Sequence, residues 1–376
     1  MIKKICFIFV LIVLPLQFNY GQNADKSNDT LSKIDRFNLK AEALFKIIPV
    51  PIISYSQEAG TVIGLAKFNA FALSKQDTIS QPSKVSETVS FSSKGRVKVY
   101  LSNDLIFKEN KYLILSDFQY TKLPEYLLGI GNDVSIDNIE EVTNEQIGFS
   151  ISALMRIYSD LYVGIGIELD DYFNIETEPD SFLIEDMVSG LNGGTNFGLG
   201  VSLLWDNRDN RYNAHSGSFI KTSFMFYNKS LGSAYQFNRF SFDVRKYFNP
   251  WLKHVVAMQA TLTNLNGDVP YYDLALLGGE SRMRGYYKGA LRDKFLMDTQ
   301  VEYRMPVWKM LGVAGWAGAG RVADSYQDMQ LKDIWISYGA GLRIKVDSEN
   351  DINIRIDAGF GDNGINAFIF SFAEAF

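Results

Sequence analysis

The chain has one cysteine, Cys6, and two histidines among its 376 residues. Cys6 lies in the apolar part of an amino-terminal leader, so the rest of the chain can form no disulfide and offers no cysteine nucleophile. Two histidines without a cysteine are also too few for a zinc site. No calcium-loop or phosphate-loop spacing occurs. The sequence therefore predicts neither a metal nor another cofactor.

Long apolar runs and an excess of basic charge are missing as well. No segment after the leader contains 18 uninterrupted apolar residues, which excludes a transmembrane helix. Acidic residues outnumber basic ones by 43 to 37, so no basic stripe is available for nucleic acid. The mean hydropathy is only -0.06 although aromatic residues make up 14% of the chain. A membrane β-barrel, which averages apolar and polar positions and uses aromatic girdles, has this combination.

The amino-terminal residues predict export. Lys3 and Lys4 precede an apolar run at 5–16, and small or polar residues follow, so residues 1–21 are predicted to be a signal peptide. Residues 22–51 are predicted to be a short periplasmic leader. Apolar residues recur there at helical spacing, which indicates a short amphipathic helix that would end at Pro49. Residues 52–376 are predicted to form the barrel.

The alternation of apolar and polar residues is clearest in the last stretch of the chain. Ile352, Ile354 and Ile356 share one parity, and charged residues occupy the other. Because strand side chains alternate between two faces, one face is apolar and the other is charged. A barrel in lipid would turn the apolar face outward and line its lumen with the charges. The same stretch ends in an aromatic strand of the kind that outer-membrane barrels present to their assembly machinery, with Phe368, Phe370, Phe372 and Phe376.

The alternation predicts an all-β fold, a transmembrane antiparallel β-barrel of about 16 strands. A soluble sandwich is the alternative, but it would need these polar faces in water and a packed core between two sheets. The predicted strands are 60–73, 84–92, 95–106, 111–121, 125–134, 144–157, 161–173, 195–206, 217–228, 235–247, 253–266, 293–305, 309–322, 334–347, 351–361 and 365–376.

Connection lengths agree with a barrel that has long outer loops and short inner turns. The predicted outer loops are 74–83, 135–143, 174–194, 267–292 and 323–333. The predicted inner turns are 93–94, 122–124, 159–160, 306–308 and 348–350, together with a longer inner connection at 207–216.

Three segments resemble the BamA/TamA-type bacterial surface antigen family of outer-membrane assembly and translocation barrels. The turn that contains Asp206, Arg208, Asp209 and Gly217 is similar to the family's D-x-R-D…P-x-x-G turn, with Ala214 where proline is usual. The sequence Gly278-Gly279-Glu280-Ser281-Arg282-Met283-Arg284-Gly285-Tyr286 resembles the family's GG…VRG(F/Y) loop, which folds back into the lumen. The aromatic terminal strand is the third segment.

The chain departs from the family pattern in two places. Residues 22–50 are too few for a periplasmic POTRA domain, so the resemblance is to a barrel-only branch. The family's F-x-D-x-G motif, whose aspartate pairs with the loop arginine, appears as Trp316-Ala317-Gly318-Ala319-Gly320, with Gly318 in place of the acid. Strand parity points Glu302 and Asp357 inward, so Arg284 is expected to pair bidentately with one of them. The alternative is a solvated loop arginine.

The resemblance implies a barrel in the outer membrane of a Gram-negative bacterium that helps to insert, secrete or display specific client proteins. A separate periplasmic partner is expected, with outer-membrane lipid around the barrel. The alternative is a passive pore or a structural barrel. Strand 365–376 is expected to pair with strand 60–73, whose glycines weaken it, and a weak junction there could open laterally. The alternative is an ordinary closed junction.

A catalytic role has little support in the sequence. His215 and Ser218 are close together, as in a barrel phospholipase, but they lie in the turn that the D-x-R-D…G motif already explains. The chain is therefore not expected to be an enzyme.

Overall fold

The computed structural model describes residues 48–56, 59–74, 76–134, 139–185 and 187–376. Within them, sixteen strands close into one antiparallel barrel, which confirms the predicted fold class. The predicted signal peptide and residues 22–47 of the predicted leader lie outside the described residues. No helix of the described part is long and apolar enough to cross a membrane.

The strands are numbered along the chain, and all of them belong to the barrel except β12 and β13, which pair as a separate ribbon. They are β1 (Val50–Ser56), β2 (Gly60–Phe71), β3 (Ser83–Ser92), β4 (Val97–Ile106), β5 (Tyr112–Leu127), β6 (Glu140–Tyr158), β7 (Leu161–Glu176), β8 (Gly194–Asp206), β9 (Gly217–Tyr227), β10 (Phe237–Phe248), β11 (Val255–Gly267), β12 (Ala275–Leu277), β13 (Leu291–Asp293), β14 (Phe295–Trp308), β15 (Leu311–Ala323), β16 (Trp335–Asp347), β17 (Ile352–Gly361) and β18 (Asn366–Phe372).

Helical structure in the described residues is confined to the connections. It consists of one α-helical turn, α1 (Phe182–Glu185), and single 3-10 turns at Lys108–Asn110, Lys229–Leu231, Tyr271–Asp273, Tyr326–Asp328 and Asp362–Gly364.

Strand β14 shows why these residues form a barrel. Its inward side chains Asp298 and Glu302 are 3% and 0% exposed, whereas the outward Met297 and Val301 are 48% and 42% exposed. The apolar face therefore points away from the interior, which is the reverse of a soluble sheet. This arrangement excludes the soluble sandwich.

Two strand predictions in the first part of the chain are wrong. One strand was predicted as two and another strand was missed, so the predicted number of sixteen is still correct. Residues 111–121 and 125–134 were predicted to be two strands with an inner turn at 122–124, but β5 runs unbroken through Pro124. Beyond Lys122, β5 pairs with β6 alone, so the missing N–H of Pro124 leaves no partner strand unsatisfied.

The strand that the prediction missed is β1. The prolines at 49 and 51 indicated the end of a helix, yet Val50–Ser56 is the first barrel strand. Pro51 is tolerated for the same reason as Pro124, because this part of β1 pairs with β2 and not with β18.

The barrel has two different ends. The loop end carries the connections 177–193, 268–294 and 324–334, and the turn end carries 159–160, 207–216, 309–310 and 348–351 together with Phe376. From β6 onward, the predicted outer and inner connections fall at these two ends as expected. The predicted outer loop 74–83 is at the turn end, and the predicted inner turn 93–94 is at the loop end, because the missed strand β1 reverses the direction of β2 to β4.

Segments of the chain fill both ends of the lumen. At the loop end, the ribbon residues Leu277 and Leu291 pack with Tyr286 and Trp335 in the largest buried apolar cluster. At the turn end, Phe376 packs with Tyr247 and other residues in a smaller cluster. A cavity of about 960 Å³ remains between these fillings. It lies along β1 to β4, and residues of β5 to β7, β9, β10 and β18 also line it.

Candidate functional site

The tip of the 268–294 connection is anchored inside the barrel by Arg284. The Arg284 side chain is fully buried, and its Nη1 donates a hydrogen bond to Oδ2 of Asp357 at 2.9 Å. Its Nη2 lies 2.6 Å from Oε2 of Glu302 in an ion pair without hydrogen-bond geometry. The guanidinium also lies 3.8 Å from the ring centroid of Trp316. We call Arg284, Glu302 and Asp357 the arginine lock.

The prediction named either Glu302 or Asp357 as the partner of Arg284, and Arg284 contacts both. A charge without solvent needs compensation by partners, and two carboxylates on different strands supply it here. They also take the place of the acid that is missing at Gly318. The space at Gly318 is used by Met283, whose Sδ would lie 3.3 Å from a Cβ at that position.

Two glycines allow the loop tip to approach the wall. A Cβ at Gly359 of β17 would lie 2.6 Å from the carbonyl oxygen of Arg284. Gly285 has a φ of 128°, and a Cβ there would lie 2.6 Å from the backbone of Phe360. Backbone therefore packs directly on backbone at this point, which only glycine permits.

Tyr286 completes the predicted loop-tip set, which comprises Met283, Arg284, Gly285 and Tyr286. Its hydroxyl donates to the carbonyl of Ile336 at 2.8 Å and accepts from the N–H of Asp362 at 2.6 Å. Its ring meets Trp335 edge to face, with centroids 5.9 Å apart.

The arginine lock is part of a larger buried charge network that sequence reasoning did not assemble. Arg343 contacts Asp357 at 2.6 Å and Glu374 at 2.7 Å. Arg304 contacts Glu302 at 2.7 Å. Each buried charge thus has an opposite charge beside it, which a buried network requires. The charge network comprises Arg284, Glu302, Arg304, Arg343, Arg355, Asp357 and Glu374.

The predicted inner-turn motif forms a compact structure at the turn end. Arg208 donates from Nε and Nη2 to the two carboxylate oxygens of Asp206 at 2.8 and 2.9 Å. Oδ1 of Asp209 accepts the N–H groups of His215 and Ser216 at 2.9 and 3.1 Å. Gly217 has a φ of 101°, a conformation that favours glycine.

The same connection reaches the charge network. Ala214, which replaces the usual proline, is buried, and its carbonyl accepts a hydrogen bond from Nη1 of Arg304 at 3.2 Å. Tyr212 donates from its hydroxyl to the carbonyl of Pro82 at 2.8 Å. The 207–216 connection therefore folds into the mouth of the barrel.

The junction of β1 and β18, which we call the seam, has a short register in the part of the chain that the structure describes. That register contains two residue pairs, Tyr55 with Phe368 and Ser56 with Ala367, and residues 57 and 58 lie outside the described part. The neighbouring β17–β18 register runs from Ile354–Phe372 to Phe360–Asn366. The predicted seam partner, strand 60–73, is wrong, since β1 lies between it and β18.

The last residues of the chain leave the barrel wall. Strand β18 ends at Phe372 and not at residue 376, and Ala373 has a φ of 61° that turns the chain inward. Phe376 is 5% exposed, and its carbonyl oxygen accepts a hydrogen bond from Nη2 of Arg304 at 2.9 Å.

The four aromatic residues of the predicted terminal signal therefore have different surroundings. Phe368 is 42% exposed on the outer face. Phe372 stacks on Phe68 of β2 with centroids 5.9 Å apart, and Phe370 lies against Phe372 at 6.1 Å.

His215 and Ser218 do not form a nucleophile–base pair. The ring of His215 lies 3.5 Å from Oδ2 of Asp351 and 3.8 Å from Oδ2 of Asp209. The hydroxyl of Ser218 accepts from Nζ of Lys246 at 3.0 Å. Among the residues that the structure describes, no group of three or more histidine, cysteine or acidic side chains is arranged to hold a metal ion.

Comparisons with known proteins agree with this geometry. The family model described as the Omp85 superfamily domain matches residues 86–372. The crystal structure of BamA from Haemophilus ducreyi, lacking POTRA domains 1-3, is similar with a TM-score of 0.53 and 14% identity, over 85% of this chain and 69% of that chain. CdiB from Acinetobacter baumannii is similar with a TM-score of 0.52 and 12% identity, over 86% of this chain and 58% of that chain. No curated protein matches the chain.

Proposed function

Because the chain belongs to the Omp85 superfamily, we propose that it is a barrel of the outer membrane of a Gram-negative bacterium that assists the insertion, secretion or surface display of specific client proteins. The seam is the observation that carries this proposal. Among the residues that the structure describes, which exclude 57 and 58, it holds β1 and β18 together at two registered positions, whereas every other pair of neighbouring barrel strands has a longer described register.

Each backbone hydrogen bond that is lost in hydrocarbon costs several kcal/mol. The junction with the fewest such bonds between described residues, β1 with β18, is therefore the one that needs the least free energy to open. An opened edge in hydrocarbon presents N–H and C=O groups that no water can satisfy. An extended client strand would satisfy them by adding to the edge.

The charge network supports this role by holding one side of the barrel together. Its acids and arginines lie on β14, β16 and β17, on the loop tip and on the inward-turned end of the chain. Strands β1 to β4 contribute none of these residues. The seam therefore lies where a wall held by buried ion pairs meets a wall without them, and motion would concentrate there.

The proposed function also involves client proteins and a separate periplasmic partner protein. The barrel would receive extended chains at the turn end from such a partner. Outer-membrane lipid would surround the apolar outer face.

The test is the outer-membrane proteome of a strain that lacks the gene, compared with that of the parent strain. Selective loss of a few barrels or surface proteins is expected. The strain is then complemented with Tyr55→Cys/Phe368→Cys, since these residues face each other across the seam and such pairs have a spacing that a disulfide spans. The only natural cysteine lies in the predicted signal peptide.

The oxidised seam variant is expected to fail in restoring the clients and to regain activity on reduction. The matched control is Ala358→Cys/Phe368→Cys, which shares one substitution but crosses the β17–β18 pair. Full activity of the oxidised seam variant, or an unchanged proteome in the deletion strain, would refute the proposal.

A passive pore is the second candidate, and the cavity of about 960 Å³ along β1 to β4 favours it. A pore would conduct steadily in a planar bilayer and would be indifferent to a locked seam. An insertion or secretion barrel would lose its clients when the seam is locked.

A further inference from the structure

The cavity beside β1 to β4 is lined by hydroxyl groups on one wall. Strand β3 contributes Ser86, Thr88 and Ser90, and β4 contributes Tyr100 and Ser102. Hydroxyl groups both donate and accept hydrogen bonds, so this wall can satisfy the N–H and C=O groups of an extended backbone. The small serine side chains also leave the space open.

Among the described residues, eight basic and six acidic side chains line the cavity, so its lining has a small excess of positive charge. Lys98 on β4 and Lys288 on the infolded loop both line it. Nζ of Lys98 lies 3.6 Å from Oε1 of Glu280, and the two side chains are 30% and 58% exposed. An exposed pair at this distance is weak and exchangeable. Lys288 is exposed and makes no ion pair with any residue that the structure describes.

Two of the chain's own segments that enter the lumen bring a glutamate to a lumenal cation: Glu280 lies beside Lys98, and Glu374 lies 2.7 Å from Arg343. The infolded loop also brings Arg282 and Arg284 to acids of the wall, so the lumen pairs with charges of both signs. Asn353 adds a hydrogen bond to Glu374 at 2.7 Å. The Glu374 pair is buried and fixed, whereas the Glu280 pair is exposed. A carboxylate from another chain could therefore replace Glu280.

We propose that this cavity is a binding site for an acidic, extended polypeptide segment, with Lys98 and Lys288 selecting its carboxylates and the β3–β4 hydroxyls holding its backbone. Ser54 and Tyr55 of β1 line the same cavity, so a segment bound there lies beside the seam. The identification of this segment as part of a client rests on the proposed function.

The test is peptide binding to the purified full chain in detergent micelles, followed by fluorescence anisotropy at low ionic strength. The probes are a labelled peptide that alternates glutamate and serine and a neutral peptide in which glutamine replaces glutamate. The acidic peptide is expected to bind more tightly than the neutral one. Its binding is expected to weaken as salt is added, because partly exposed charges are screened.

The double variant Lys98→Gln/Lys288→Gln is expected to bind the acidic peptide about tenfold more weakly, since two exposed ion pairs are lost. Its affinity for the neutral peptide is expected to be unchanged. The control is Lys294→Gln, which breaks an exposed pair with Asp324 at 2.8 Å outside the cavity. Equal binding of the two peptides, or a double-lysine variant that binds like the parent, would overturn the proposal.

The two proposals fail in different ways. If the double-lysine variant restores the clients of the deletion strain in full, the cavity is not the acidic-segment site, and the proposed function stands. If the deletion strain loses no clients, the proposed function fails regardless of peptide binding.

Discussion

The charge of Arg284 has two acidic partners, Glu302 and Asp357. Removal of Arg284 is therefore expected to affect stability differently from removal of one of these acids. The charge network contains four arginines and three acids. Without Arg284, Glu302 still contacts Arg304 and Arg343, so no acid is stranded. Without Glu302, four buried arginines share two acids, and a buried charge without a partner is strongly destabilising.

Arg284→Ala is therefore expected to leave the barrel folded but to free the loop tip, so that trypsin cleaves at 282 and 288. Glu302→Gln is expected to lower the free energy of unfolding by about 3–5 kcal/mol. Limited proteolysis and urea unfolding in micelles measure the two effects. Lys294→Gln is the control, because its ion pair with Asp324 is exposed and lies outside the charge network, and the substitution leaves residues 282 and 288 intact. Continued protection of the loop in Arg284→Ala would show that the lock does not hold it.

A second prediction concerns the close approach of the loop tip to Gly359. A Cβ there would lie 2.6 Å from the backbone of Arg284, so Gly359→Ala is expected to push the loop tip off the wall and to destabilise the barrel by about 1–3 kcal/mol. Gly315→Ala is the matched control, since its Cβ would meet nothing closer than 3.8 Å. Equal unfolding curves for the two variants would contradict the close approach.

Among the elements, the 268–294 connection is expected to respond to pH through Asp273. Asp273 lies in the 3-10 turn Tyr271–Asp273, and its Oδ2 accepts a hydrogen bond from Asn196 at 2.6 Å. Burial, and then the charge of Asp170, raises the pKa of Asp273 from 3.8 to about 7. The protonated carboxyl is therefore favoured while the loop is docked.

Because the docked loop holds a proton that a free loop would release, docking weakens as pH rises from about 4 to about 7. The hydrogen-exchange protection factors of residues 268–294, which correct for the intrinsic exchange rate at each pH, are expected to be larger at pH 5 than at pH 8. Asp273→Asn keeps the shape of the side chain without the charge, so it should flatten this dependence. A pH profile of the variant that matches the parent would assign the effect to another group.

For the whole molecule, the two ends of the lumen are linked by the charge network. Arg284 comes from the loop end and Glu374 comes from the turn end. Arg343 contacts Glu374 itself and also both acid partners of Arg284, Glu302 and Asp357. Residues that share a network do not contribute independently to stability. The position of the loop tip and that of the inward-turned end are therefore coupled.

A double-mutant cycle with Arg284→Ala and Glu374→Gln measures this coupling. The free energies of unfolding are expected to deviate from additivity by about 0.5–3 kcal/mol. Arg284→Ala combined with Lys294→Gln should be additive, since Lys294 pairs outside the network. Additivity in both cycles would mean that the two ends act separately.

Much of this architecture could be predicted from alternation alone, because each strand from β6 onward keeps its polar and apolar faces apart. The partners of Arg284 were also predictable, since strand parity placed Glu302 and Asp357 inward. The wrong assignments arose at Pro51 and Pro124. The cost of a strand proline depends on whether a partner strand lies beside it, and that is tertiary information. Glu374 was missed because its role depends on the inward turn at Ala373.

Pro51 has one more consequence, which concerns neighbouring copies in a crowded membrane. A barrel with an incompletely paired edge risks joining its edge to that of another copy, as exposed strand edges do in aggregation. Proline offers no N–H at the part of β1 that β18 leaves unpaired, so a continuous ladder between two copies is interrupted there. We therefore expect the residue that obscured the first strand in the sequence to oppose self-association of the barrel.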